Sequence, residues 1–368
     1  MHSANCIQER IAAYKAGKYL PRVVAKDVRI YAAAAGNLFF LEIARLIQGG
    51  FADIGIPSTV IVAEAFDDCA DSANADADLH VIIAPHELFH FIPQAANWPH
   101  AKGKKWILNT EQAHTSWFAG ARDFFAWADL VLDMDQHLAE SLSQEGFSTE
   151  HLPLGFSPGC HLFDGVAPVP VMSSTEGIPR RIRSWVAPDN PLDDPLHARP
   201  LDYCFFGTST ERRTAFFARN ASIFANLEGY LRLRPLAGPL HASDNAALLT
   251  GATSSIVRRS KISLNIHQSG HCYFEWHRII LQGFWQGTLV LSEPCTSAWP
   301  FRPNIEYVSV DLDHLADGLE YLLLSDEGKV FAERVRSQAH TTLTERCRMG
   351  DRLKELLSLY LGSSWELG

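Results

Sequence analysis

Glu275, His277 and Arg278 fall inside one short block, Phe274-Glu275-Trp276-His277-Arg278-Ile279, with Asn265 and His267 just before it. A carboxylate there can accept hydrogen bonds from hydroxyl groups, and the N–H groups of a helix start favour anions. Together these suit a sugar joined to a diphosphate. The plainer alternative is an ordinary ion pair, because residues i and i+3 share a helix face and Glu275 and Arg278 have that spacing. A second group, Gly207, Thr208, Arg212 and Arg213, sits at a small-residue turn. Small side chains let a diphosphate approach the backbone, and a guanidinium can neutralise it. The alternative there is a helix capped by Thr210 with a solvated arginine pair. Gly36-Asn37 makes a third turn, whose N–H groups could bind a leaving phosphate or an acceptor hydroxyl, or merely join a strand to a helix. His86, Glu87, Glu111 and His114 are candidates for a base that takes a proton from an attacking hydroxyl. Asp133 and Asp135 are weaker candidates, since Asp135 is placed to cap a helix.

These side chains matter only if the elements bring them together. Residues 261–294 read as strand, loop, helix, strand. The expected helix over Cys272–Gln286 turns Phe274, Ile279, Leu281 and Phe284 inward at helical period, and Gly287 ends it. The next buried strand stops at Glu293-Pro294. Earlier in the chain, strands are expected over Asp27–Ala35, Ser58–Glu64, Leu79–Pro85, Lys104–Asn109, Leu130–Met134 and His151–Gly155. Helices over Leu38–Gly50, Thr115–Ala128 and Gln136–Glu145 alternate with them, residues 1–26 begin with another helix, and Asp67–Asp78 reads as a solvated loop. Pro158, Pro168, Pro170, Pro179, Pro188, Pro191, Pro195 and Pro200 then break the rhythm, as an interdomain linker does. A second alternation follows, with strands over Asp202–Phe206, Tyr230–Leu236 and Glu306–Asp311. Its helices span Glu211–Asn226, Asn245–Arg259 and His314–Leu324, and a last one runs from Gly328 to about Ser358. The pattern predicts an α/β chain of two doubly wound parallel sheets. Ligands of such sheets sit outside the carboxyl ends of the strands. There lie Asn265, His267 and Glu293 in one half, and His86, Glu87 and Glu111 in the other.

The 261–294 block resembles the donor-binding segment of GT-B glycosyltransferases, and most closely that of bacterial group 1-like members with an FEWHRI…GTLVLSE block. In that family an acidic residue opens the helix and a second follows about two turns later. Glu275 matches the first; the second position is Gln282, which can hydrogen-bond a ribose but carries no charge. A family-like FFG…RR…FF block is matched by Phe205, Gly207, Arg212, Arg213, Phe216 and Phe217. The pattern covers most of residues 28–340. The resemblance implies two Rossmann-like domains facing across a cleft. Residues 1–156 would form the acceptor domain, 157–200 the linker and 201–340 the donor-binding domain, with 341–368 a C-terminal helix that can cross back. It implies donor contacts from Gly207, Thr208, Arg212, Arg213, Asn265, His267, Glu275, Arg278, Gln282 and Glu293. A base would come from His86, Glu87 or Glu111, and Gly36 and Asn37 would face the bond being broken. It also implies a nucleotide sugar as substrate, no separate cofactor, and a glycan or lipid-linked glycan as acceptor.

Composition sets the outer limits. The chain has 368 residues, 47% hydrophobic and 20% charged, enough for two packed domains and against disorder. A net charge of −10 argues against non-specific nucleic-acid binding. The seven cysteines are odd in number and show no CxxC spacing, which fits a reducing compartment. No leader-like apolar segment and no run of about 18 apolar residues is present, so a cytoplasmic protein is expected. A peripheral membrane contact stays open, because many glycan acceptors are lipid-linked. His267, His271, Cys272 and His277 are zinc-ligand types, but they lack a recognised zinc spacing, and a metal-independent site is expected. Two other functions remain on the same fold: a nucleotide-sugar epimerase or hydrolase, and a non-enzymatic two-lobed binding module. Product analysis with a labelled nucleotide sugar separates the first from a transferase. Turnover that depends on Glu275 excludes the second.

Overall fold

The computed structural model describes residues 27–70, 76–95, 102–164, 185–235 and 246–361, with side chains described from 250 onward in the last segment. The expected helix within residues 1–26 lies outside them. The first sheet has six parallel strands: β1 (Val28–Ala33), β2 (Ser58–Ala63), β3 (Leu79–Ile83), β4 (Lys104–Asn109), β5 (Leu130–Asp133) and β6 (Thr149–His151), in the order β2-β1-β3-β4-β5-β6. The second has five, also parallel: β7 (Leu201–Thr208), β8 (Gly229–Arg234), β9 (Ser260–Asn265), β10 (Leu289–Ser292) and β11 (Val308–Ser309), in the order β11-β10-β9-β7-β8. The α/β architecture is the one expected. Central strands such as Leu-His-Val-Ile-Ile (β3) and Leu-Val-Leu-Ser (β10) are buried throughout, as strands covered by helices on both faces must be.

In each sheet the chain reverses its winding direction once. The first sheet does so between β1 and β3, the second between β7 and β9. Loops leaving the carboxyl ends of those strands splay apart there and leave a crevice. The four loops concerned carry Gly36-Asn37, Pro85-His86-Glu87, Gly207–Thr210 and the segment after Asn265. Asn37 caps the Leu38–Asp53 helix by accepting from the Phe39 N–H at 3.2 Å. Ala84, buried between β3 and the Pro85–Phe91 helix, takes a left-handed φ of 51°. That conformation costs a non-glycine residue of order 1 kcal/mol or more and is held only where its surroundings impose it. Here it turns the chain sharply into His86 and Glu87.

The halves are not joined by the linker alone. One apolar cluster runs from Ile43 and Ile47 of the first half through Phe274 and Trp276 to Met349 and Leu353. The expected single C-terminal helix is two, Asp326–Arg346 and Met349–Leu361. The break is filled by the first half: the Phe156 N–H donates to the Cys347 carbonyl at 2.7 Å, and the Met349 N–H donates to the Phe156 carbonyl at 2.8 Å. Beyond the break the last helix lies on the first half. Arg352 donates to the His151 carbonyl at 2.8 Å, and Tyr360 to Glu150 at 2.8 Å.

Other boundaries moved for local reasons. Asp67–Asp78 was expected to be loop, but Phe66–Ala70 is a short helix, opened by Asp68 accepting from the Glu64 and Ala65 N–H groups. The expected helix over Thr115–Ala128 is Ser116–Arg122 followed by a 3₁₀ turn, Phe125–Trp127.

Candidate active site

The largest correction falls on the block with the richest chemistry. Residues 272–275 are not helical; Tyr273 makes an isolated bridge to Thr296, the first helical residue is Trp276, and a π-helix runs from His277 to Gly283. Glu275 therefore precedes the helix rather than opening it. A π-turn aligns residues i and i+5, which brings the Gln282 amide to 3.5 Å from His277 Nδ1. A 3₁₀ turn, Phe284–Gln286, completes the segment, and Gly287 closes it in the left-handed region at φ 56°.

Between the two sheets lies a cleft of about 680 Å³ lined by both halves. Of the residues singled out in the sequence, Asn37, Glu111, His114, Asp133, Asp135, Gly207, Thr208, Arg213, His271, Cys272, Glu275, His277, Arg278 and Gln282 line it. Gly36, His86, Glu87, Arg212, Asn265, His267 and Glu293 stand behind the wall and hold it. The Glu87 carboxylate accepts the Asn37 N–H at 2.7 Å, so that donor of the Gly36-Asn37 turn is already engaged. A Cβ added at Gly36 would meet Glu87 Oε2 at 2.4 Å, which explains the glycine. Arg212 is held by both Glu293 carboxylate oxygens, and Glu293 also takes the His267 N–H at 2.7 Å. Buried Asn265 donates to Ser292 Oγ at 2.9 Å and accepts from Arg278 at 2.8 Å.

Arg213 spreads its guanidinium over the Ile266 and Thr208 carbonyls. Burial and the neighbouring Arg278 charge lower its pKa to about 10, partly offset by Glu275. Glu275 makes an ion pair with Arg278, lies 3.6 Å from Arg213 and accepts the Tyr273 hydroxyl at 2.8 Å. Burial alone would raise this carboxyl, but Arg278, Arg213 and Tyr273 together hold it below the ordinary value. The simple ion pair is thus present, and the same carboxylate also looks into the cleft.

The first half presents a different electrostatic face. Glu111 follows β4, and Asn109 accepts its N–H at 3.2 Å. Burial, with a smaller push from Glu87 and against a weak hydrogen bond from Thr115, raises its carboxyl to about 7. His86 Nε2 sits 3.4 Å from Glu111 Oε1, but burial lowers this imidazole to about 4. The contact at neutral pH is therefore with a neutral ring. Asp133, deeper in the cleft wall, is raised by burial to about 8 although Asn109 and the Asp135 N–H bond it. Asp135 caps the Gln136–Gln144 helix, as its position suggested. His114 lies at the cleft, its ring stacked on His271 of the other half with centroids 3.6 Å apart.

Among the polar residues of the cleft that sequence reasoning missed are Glu42, Arg232, Arg234 and Thr250. Arg232 and Arg234 alternate with Leu231 and Leu233 at the carboxyl end of β8, and residues i and i+2 of a strand share a face. The alternation was readable, but not that its charged face turns to the cleft. Their side chains have no hydrogen-bond or ion-pair partner among the described residues, unlike Arg212, Arg213 and Arg278. Glu42 was hidden inside the apolar run of the Leu38–Asp53 helix. Of the zinc-type residues, His267 faces the Pro294 carbonyl at 3.0 Å, His271 bonds Ser269 at 3.1 Å and His277 pairs with Glu42. No group of three or more metal-type side chains converges among the described residues.

No family model and no curated protein matches the sequence. Solved structures do match its fold. Anabaena HepE in complex with UDP superposes with a TM-score of 0.56 at 12% identity, over 91% of this chain and 100% of that one. An alpha-glucosyltransferase in complex with UDP-glucose and abasic-site DNA gives 0.52 at 10% identity, over 91% and 99%. An alpha1,3-fucosyltransferase gives 0.50 at 12% identity, over 95% of each chain. The fold is GT-B. In GT-B terms β1–β6 build the N-terminal lobe and β7–β11 the C-terminal lobe, with the cleft between them. No described helix is long and apolar enough to cross a membrane.

Proposed function

We propose that the protein is a glycosyltransferase that moves a sugar from a nucleoside-diphosphate sugar to a hydroxyl of a glycan or lipid-linked glycan. The observation that carries this reading is the pair Arg232 and Arg234, which line the cleft on a two-lobed scaffold with no partner among the described residues. Guanidinium groups with no partner among the described residues, beside the small residues Gly207 and Thr208, suit a diphosphate, which forked N–H donors bind with two hydrogen bonds at once. Structures of the same fold hold UDP and UDP-glucose, which supports the donor class.

Glu111 is the base in this reading. It accepts the proton of the acceptor hydroxyl as that oxygen bonds the anomeric carbon. The bond from that carbon to the diphosphate breaks, and its electron pair leaves with the phosphate oxygen towards the arginines. A carboxyl with a pKa near 7 is well matched to this work at neutral pH, being both ionised in part and basic enough to draw a proton. Attack from the face opposite the leaving group inverts the anomeric centre. Arginines and backbone N–H groups stabilise the departing charge, so no metal or separate cofactor is invoked. A lipid-linked acceptor would bring the protein to the cytoplasmic membrane surface as a peripheral visitor.

Calorimetry with UDP and GDP, followed by mass analysis of products from UDP-glucose and GDP-fucose with mixed glycan acceptors, tests the proposal. Binding of one nucleotide that Arg232→Ala and Arg234→Ala each weaken supports it. No binding of either nucleotide, or binding indifferent to both substitutions, overturns it.

A further inference from the structure

Glu42 is almost wholly buried in the Leu38–Asp53 helix of the N-terminal lobe, yet both its oxygens are used by the other lobe. Oε1 accepts from the Thr250 hydroxyl, on the Ala246–Arg258 helix, and Oε2 from His277 Nε2, at the start of the π-helix. The imidazole is approached at both nitrogens and on one face. The Gln282 amide approaches Nδ1 through the i, i+5 geometry of the π-turn, and the Phe39 ring lies on it at 4.2 Å between centroids. Glu42, Thr250, His277 and Gln282 all line the cleft. A buried carboxylate is tolerated only where partners replace its water, and here every visible partner lies across the lobe boundary.

We propose that Glu42 is a positioning residue for transfer: its bonds to Thr250 and His277 set the distance between the half of the site bearing Arg232 and Arg234 and the half bearing Glu111. The inference rests on the glycosyltransferase reading for its kinetic part and on geometry alone for its structural part. Glu42 begins one helical turn beyond the Asn37 cap, so it shares a rigid element with the loop facing the cleft. His277 follows Glu275 and precedes Arg278, so it shares a rigid segment with the C-lobe ion pairs. Tying these two points fixes the lobes near the reacting groups, while the Met349–Leu361 helix fixes them at the far end. Proximity effects are steep, and a displacement of about 1 Å costs roughly a hundredfold in rate.

Three variants of the full chain test this: Glu42→Ala, Glu42→Gln and Thr250→Val. Small-angle X-ray scattering needs no substrate; the expected result is a larger radius of gyration for Glu42→Ala, with Glu42→Gln close to wild type because the amide oxygen still accepts from His277. With the nucleotide sugar that the protein binds, kcat should fall about a hundredfold in Glu42→Ala and far less in Glu42→Gln and Thr250→Val, with the Kd for free nucleotide within about threefold of wild type. Unchanged scattering and unchanged kcat in Glu42→Ala overturn the inference. So does equal loss of kcat in Glu42→Ala and Glu42→Gln with unchanged scattering, which would assign Glu42 to the substrate itself. If Glu42→Ala fails to fold, Thr250→Val and a His277→Gln variant carry the same comparison. Failure of the nucleotide to bind any protein, wild type included, would strike the proposed function and leave the scattering result standing.

Discussion

The two walls of the cleft use the same side-chain chemistry to opposite ends. On the C-terminal wall Glu275 sits between Arg278 and Arg213, and its carboxyl is held below the ordinary value in spite of burial. On the N-terminal wall half-buried Glu111 and buried Asp133 have no guanidinium beside them among the described residues, and desolvation raises them to about 7 and about 8. Burial alone pushes a carboxyl up, and a nearby cation reverses the sign. One wall therefore holds permanent charge that can only orient, and the other holds carboxyls that can take up and release protons near neutral pH.

The comparison breaks first at Glu111. Glu111→Gln keeps the shape and the hydrogen-bonding oxygen but removes the base. A roughly 10²–10⁴-fold drop in kcat is expected, with nucleotide Kd unchanged; steady-state assays alongside calorimetry check both. A drop of less than tenfold would move the base elsewhere, with Asp133 next in line. The opposite wall gives a loss of stability instead. Glu275→Ala leaves Arg213 and Arg278 buried without their counter-ion, and breaking such a pair costs about 3–5 kcal/mol. Urea unfolding should show that loss, and Glu275→Gln should recover part of it. A smaller effect follows at Arg232 and Arg234. Arg232→Ala and Arg234→Ala each remove a charged hydrogen bond worth roughly 1.5–3 kcal/mol, less where water screens it. A rise in nucleotide Kd of about tenfold is expected, shrinking as salt is added.

The two walls also differ in how far the sequence revealed them. Parallel sheets were readable because buried strands make apolar runs of strand length punctuated by turn residues, and the helix caps Asn37, Thr210 and Asp135 obey local rules. The FEWHRI block and Glu111 were readable because their chemistry lies at the carboxyl ends of strands. What was not readable was long range. Arg212 faces outward in the helical pattern, and nothing near it in sequence shows that Glu293 neutralises it. Arg232 and Arg234 are ordinary strand charges until the fold turns them to the cleft. Glu42 shares a helix face with Leu38 and Leu46, which turns it inward, but its partners Thr250 and His277 lie 208 and 235 residues further along the chain. The π-turn was unreadable for a different reason. Apolar spacing in a segment this short cannot separate a period of 3.6 from a slightly wider one.

The finest test of the contrast lies at Glu87. Its carboxylate is the one charged neighbour that raises Glu111, a smaller contribution than burial. It is fixed by the Asn37 N–H at 2.7 Å, so it cannot swing away. Removing a negative charge eases ionisation of the carboxyl it faces, so Glu87→Gln should lower the Glu111 pKa while leaving it above the ordinary carboxylate range. For a base, activity is lost as pH falls through its pKa. The acid limb of kcat/KM is expected near pH 7 in the wild type, displaced to lower pH in Glu87→Gln and absent in what activity Glu111→Gln retains. The displacement must be smaller than the whole shift that burial and Glu87 produce together. A limb that moves to higher pH, or does not move, would mean that the titrating group is not Glu111. Asp133 would then be the carboxyl to test, since its raised pKa owes nothing to Glu87.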